Sequence, residues 1–162
     1  MSKSNGAAGF SLIELLVVVA VMGIIASLAI PSLLASRRAA NEGSALSSLR
    51  TIHSSQAVYY ATAGNGGYGT TTELLNQNLI DAVVGGSTPK SGYNLTITPD
   101  NTGSPKNYFS SGVPADTGSV TRTGTRSFSI AEDGILRGKV ADAGPANHTE
   151  ALDFGLWPAI DN

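Results

Sequence analysis

Glu14 is the residue whose type and position most demand an explanation, because it lies inside a long apolar run. A carboxylate in a membrane helix costs roughly 2.5–3.5 kcal/mol at the bilayer centre and less near the interface, so it calls for a cationic partner. Other groups able to do chemistry are sparse. His53 and His148 are the only histidines, too few and too isolated for a zinc site or a catalytic pair. His53 reads as a packed or half-exposed helix residue. There is no cysteine, which excludes a disulfide framework, thiolate metal sites and cysteine nucleophiles. Asp100, Asp133, Asp153 and Asp161 offer oxygens to calcium, but no loop gathers acidic ligands densely, and they read as solvated turn residues. Gly64-Asn65-Gly66-Gly67-Tyr68-Gly69 formally fits G-x-G-x-x-G. A dinucleotide site needs a strand before that motif, whereas a helical pattern precedes it here, so it reads as a loop. Arg37, Arg38 and Arg50 could meet DNA phosphates or lipid head groups. No metal site, cofactor or catalytic constellation follows, and the sequence is not read as that of an enzyme.

The elements that must position these residues begin with the apolar run itself. Leu15 to Ile30 is sixteen residues without a charge, and the apolar character extends from Phe10 to Leu34. As a helix, residues 10–34 would span about 37 Å, enough to cross a ~30 Å hydrocarbon core. Only 14% of the 162 residues are charged, against about 25% in ordinary soluble chains, so the chain is membrane-linked or covered by neighbours. Whole-chain disorder is excluded, since that needs low hydrophobicity with high net charge. A net charge of −2 argues against nucleic-acid binding by bulk electrostatics. Three readings of the N-terminus compete. One is a secretory signal with Ser27-Leu28-Ala29 as its small-residue cleavage site. A second is a plain single-pass anchor, and the third is an apolar helix that retains Glu14 for a purpose.

Past the apolar run, Ala45, Leu49, Ile52 and Tyr59 recur at three-to-four spacing, with Leu46, Ala57 and Tyr60 alongside. Arg37, Asn41, Ser44, Ser48 and Ser55 mark the other face. The pattern predicts one helix from Phe10 to about Ala63, stopped by Gly64–Gly67. Pro31 removes a backbone hydrogen bond and, with Gly23, makes the apolar half its weak part. Residues 70–84 read as a short helix capped by Thr72. Four strands follow: 93–98, stopped by Pro99; 107–110, ended by Gly112 and Pro114; 126–130; and 135–139. The last two are joined by a Glu132-Asp133-Gly134 hairpin turn. The tail from Ala141 to Asn162 reads as irregular, with Phe154 and Trp157 anchoring it to the sheet.

The segment Gly9-Phe10-Ser11-Leu12-Ile13-Glu14-Leu15-Leu16-Val17-Val18 resembles the cleavage and methylation signature of type IV prepilins and the related pseudopilins. The resemblance implies that a prepilin peptidase cuts between Gly9 and Phe10, that Phe10 is then N-methylated, and that the apolar helix is retained. It implies that Glu14 neutralises the Phe10 α-amine of an adjacent subunit and sets its axial register. It implies too that Gly23–Pro31 melts into extended chain on filament assembly. The expected partners are identical or related pilin subunits, the peptidase, an inner-membrane assembly platform and membrane lipid; DNA or a surface ligand stays open. On this reading Arg37, Arg38 and Arg50 line the filament interior or the membrane surface.

The implied organisation is a leader over 1–9, an apolar assembly helix over 10–34, an amphipathic stem over 35–63 and a globular head over 64–162. The fold class is α+β, a long helix packed on a small antiparallel sheet, as in pilins. Gly124–Arg137 resembles the final hairpin of many such heads. Many pilins clip the C-terminal end with a disulfide, which this chain has no cysteine to form. Lys3 before the span and Arg37 and Arg38 after it favour the reverse of the pilin orientation by charge count, whereas the resemblance places the head outside the cytoplasm. Two functional classes stand: a type IV pilus subunit serving adhesion, twitching or DNA uptake, and a secretion-system pseudopilin. A secreted β-rich binding module is held in reserve.

Overall fold

The structure, a computed structural model, describes residues 9–160. Helix α1 (Leu12–Ala61) is followed by α2 (Thr71–Asn76), strands β1 (Tyr93–Asp100), β2 (Asn107–Pro114), β3 (Ser127–Ala131) and β4 (Arg137–Lys139), and helix α3 (His148–Leu152). The chain divides into two compact units between Ser36 and Arg37.

In the first unit, every large apolar side chain from Phe10 to Leu33 is exposed. The stretch is long and apolar enough to cross a membrane. α1 is unbroken at Gly23 and Pro31. Pro31 has no N–H to offer the Ser27 carbonyl, and the Ser27 hydroxyl donates to the Ile24 carbonyl at 2.7 Å. The helix starts two residues later than the expected Phe10, for a reason that lies in Glu14 and is given below.

In the second unit, Ala45, Leu49, Ile52 and Tyr59 of α1 pack with Leu74, Tyr93, Phe128 and Ile130 in one core. Ala45, Leu49, Ile52 and Tyr59 of the expected stripe are therefore buried, whereas Ala57 and Tyr60 alongside it are exposed. Ser48 and Ser55, expected on the other face, are buried as well. Their hydroxyls are satisfied without water: Ser48 donates to the Ser44 carbonyl at 2.9 Å, and Ser55 to the Leu79 carbonyl at 2.7 Å. A small residue that returns its only donor to the backbone can sit where an alkyl group would. α1 ends as Thr62 and Gly64 both donate to the Tyr59 carbonyl, and left-handed Asn65 and Gly66 turn the chain.

The sheet is an antiparallel meander in the order β1-β2-β3-β4. β1 runs through Pro99 to Asp100 and pairs with β2 from Tyr93↔Pro114 to Asp100↔Asn107. Proline stops a central strand but is tolerated in an edge strand, which β1 is. β2 runs through Gly112, also expected to end it. A Cβ built there would come within 3.3 Å of Leu95, its partner on β1, so glycine spares the Leu95 side chain that crosses it, while Leu49 of α1, at 3.8 Å, would be in ordinary contact. The β3–β4 turn is as expected, with Gly134 at φ +72° and donating to the Ala131 carbonyl. α2 is shorter than expected, and its cap lies two residues earlier. Its N-cap is Thr70, not Thr72, joined to Glu73 in a capping box, and left-handed Asn78 lies just beyond its end.

The tail is ordered without a disulfide. α3, which the sequence reading left irregular, is capped by Asn147, whose side chain accepts from the Glu150 N–H at 2.9 Å. Trp157 is fully buried, donates to Glu150 Oε1 at 3.2 Å and carries Lys139 Nζ over its ring at 4.6 Å. Phe154 stays half exposed, with the buried Arg137 guanidinium 4.4 Å above its ring.

Candidate functional site

Gly9, Phe10 and Ser11 precede α1 in non-helical backbone. Nothing lies within 4 Å of a Cβ built on Gly9, and Phe10 is 80% exposed. An uncrowded, non-helical bond is what a peptidase requires to lay chain across its active site. Ser11-Leu12-Ile13-Glu14 has the S-x-x-E spacing that starts a helix. The Ser11 N–H donates to Glu14 Oε2 at 2.9 Å, while its carbonyl accepts from the Leu15 N–H at 3.2 Å. Glu14 thus fixes the helix start at Leu12 and lies at the partially positive end of α1. Within a single chain its carboxylate already has a backbone donor. It shares a surface hollow with Phe10, Ile13, Val17 and Val18, so the residues expected at the cleavage and assembly sites stand together. Gly23 and Pro31 lie farther along the same helix.

The other residues singled out in the sequence are dispersed. Asp100 accepts from the Thr102 N–H and hydroxyl at 2.9 and 2.6 Å, bonds that hold its carboxyl below the usual range. Asp153 accepts from the Gly155 N–H at 2.7 Å. Asp133 pairs with buried Arg137 at 2.5 Å. Burial pushes the Asp133 carboxyl up, but the bonds from Arg137 and the Ile135 N–H outweigh that and hold it low. Asp161 lies outside the described residues. Among those described, no three metal-ligating side chains gather. His148 Nε2 stands 2.8 Å from both Glu132 oxygens, and His53 Nδ1 stands 2.6 Å from the Tyr108 hydroxyl. Arg38 Nε donates to the Arg122 carbonyl at 3.2 Å, so this arginine is a structural latch.

Sequence reasoning missed Glu42. It is buried and accepts from the Thr125 N–H and hydroxyl at 2.8 and 2.7 Å and from Arg126 Nε at 2.9 Å. Its signal was its register. It stands three residues before Ala45 on the same apolar stripe, where an unpaired charge would be costly.

No curated protein and no solved structure matches the chain. The prokaryotic N-terminal methylation motif matches residues 4–30. Gly9, Phe10 and Glu14 lie within that match with an exposed apolar helix behind them, and the chain carries the signature of type IV pilins and pseudopilins.

Proposed function

We propose that this chain is a structural subunit of a type IV pilus filament, cut between Gly9 and Phe10 by a prepilin peptidase, N-methylated at Phe10 and polymerised from the inner membrane. The observation that carries this reading is the joining of the methylation motif to an apolar helix half that nothing among the described residues covers. Such a surface is stable only in lipid or against other apolar helices. The bilayer supplies the first before assembly, with the head outside the cytoplasm, and neighbouring copies supply the second afterwards. Residues 1–9 are the leader, 10–34 the assembly helix, 35–63 the stem and 64–162 the head.

Cleavage creates a cation, the Phe10 α-amine, in the region where Glu14 is the acidic side chain. In the polymer Glu14 accepts that amine from an adjacent subunit and fixes its register along the axis. Gly23 and Pro31 let the helix between them give way as subunits pack. Removing one member of a buried pair costs about 3–5 kcal/mol, and in a filament the loss recurs at every subunit.

N-terminal mass analysis tests the first step: a methylated start at Phe10 is expected, and a start at Ile30 would mean ordinary signal-peptidase release. Glu14→Ala tests the second. The variant should insert, be cleaved after Gly9 and fold its head, yet yield little or no sheared filament. Normal filament yield with cleavage intact would remove the charge-register mechanism. Processed protein that never reaches surface filaments even in the wild type would point to the pseudopilin role instead.

A further inference from the structure

Four rings converge near the C-terminal end of α1. His53 and Tyr60 share one helix face, seven residues and so about 10 Å apart along the axis, with the small side chain of Ala57 between them. Tyr68 packs on Tyr60 with ring centroids 5.0 Å apart, and Tyr108 on Tyr68 at 4.6 Å. The His53–Tyr108 hydrogen bond of 2.6 Å closes the row. They leave a pocket of about 170 Å³ bounded by His53, Ala57, Tyr60, Tyr68, Tyr108 and Glu132.

The pocket is preorganised. The turn at Asn65 and Gly66 brings Tyr68 back to α1, and Asn101 grips its backbone from both sides, accepting from the Tyr68 N–H at 2.9 Å and donating to its carbonyl at 2.8 Å. Tyr108 is only 1% exposed, and Glu132 is held by His148. The formal G-x-G-x-x-G stretch thus delivers an aromatic ring rather than a phosphate cradle.

The ionisable groups at the pocket, besides the tyrosines, are His53 and Glu132, and His148 stands against the Glu132 carboxylate. No lysine or arginine bounds the pocket. The Tyr68 hydroxyl is pushed up by burial and then by the charge of Glu132, and Tyr108 is pushed up by burial and by Tyr68, Glu132 and Asp133. Burial disfavours any bare charge here, so the preference for a cation rests on the Glu132 carboxylate and the aromatic lining. Bare ammonium and metal ions hold their water strongly, whereas a methylated ammonium meets apolar ring faces with its own methyl groups. We propose that this pocket binds a quaternary ammonium group, seated against Tyr60, Tyr68 and Tyr108 with its charge toward Glu132. A choline-type head group and a trimethylated lysine side chain both carry that chemistry.

The test uses the full chain in maltoside micelles, which contain no ammonium group, titrated with choline and with its neutral isostere 3,3-dimethylbutan-1-ol. Nuclear magnetic resonance follows the Ala57 methyl and the ligand methyls, which ring currents should shift upfield. Choline should bind at least ~5-fold more tightly than the neutral isostere. Ala57→Leu, which fills the space from an exposed helix position, should abolish binding, Tyr60→Phe should retain it, and Glu132→Gln should weaken it. Equal affinity for the two ligands would overturn cation recognition. No saturable choline shift, or binding unchanged in Ala57→Leu, would overturn the pocket. Phosphocholine and trimethyl-lysine run alongside identify the source, and tighter binding by either supports the site.

Discussion

Glu42 ties α1 to the Thr125–Arg126 segment, and Trp157 ties the tail to α3. Replacing Glu42 with alanine leaves the Thr125 N–H and the Arg126 guanidinium without their acceptor. Hydrogen bonds to a charged group are worth about 1.5–3 kcal/mol, so Glu42→Ala should lower the urea midpoint of the head accordingly, and Glu42→Gln should lose less. Trp157→Ala should cost more, roughly 3–5 kcal/mol, because a fully buried indole leaves a cavity and Glu150 loses one of its donors. An unchanged midpoint for either variant would contradict its assigned role. Trp157 was legible as an anchor because a lone tryptophan in a polar tail has few other uses. Glu42 was not, since a glutamate on a helix ordinarily reads as surface.

Capping, edge position and close approach explain where the elements depart from their expected bounds. The three consecutive threonines at 70–72 offered three N-caps, and only Thr70 has Glu73 at the reciprocal spacing, so the sequence held the answer in its i, i+3 relation. Asn147 and Glu150 repeat that relation at α3. Asn147→Ala should cost about 1 kcal/mol and fray α3 first, which amide exchange at Ala151 would report. By contrast, the passage of β1 through Pro99 depends on β1 being an edge strand, and that of β2 through Gly112 on Leu95 standing opposite it in β1. No local pattern carries either fact. The β3–β4 turn adds an acid dependence. Asp133 has a folded pKa below its unfolded one, so its contribution is complete above the unfolded value and is lost as pH falls through the folded value. Stability should therefore drop below about pH 4. Asp133→Asn should be less stable at pH 7, and its deficit relative to wild type should shrink toward pH 2; a constant deficit would exclude the carboxylate as the cause.

Across the whole molecule, chemistry and stability are kept in separate stretches of chain. The motif, Glu14 and the apolar surface lie before Ser36, while the core lies after Arg37. The first stretch was legible as an apolar helix long enough to cross a membrane and as a methylation motif, because both are written in consecutive residues. The head was legible as a pattern of strands, but its polar contacts join residues more than eighty positions apart. Membranes carrying the chain should retain it through alkaline carbonate washing, and deleting residues 10–34 should release a folded head. Release of the intact chain by the wash would contradict a spanning helix.

The two borders of the sheet are finished differently. β1 carries Pro99 and alternating exposed polar residues, whereas β4 is bordered by the tail: Gly138 donates to the Pro158 carbonyl at 3.0 Å and Ile160 to the Leu136 carbonyl at 2.9 Å. Residues 158–160 work as a selvedge. Wherever copies crowd together, a bare border invites a neighbour's strand, and such growth leads to cross-β stacking. Trimming the chain after Trp157 should leave the core in place yet make the protein seed thioflavin-positive fibrils, and trimmed protein that stays dispersed would refute this.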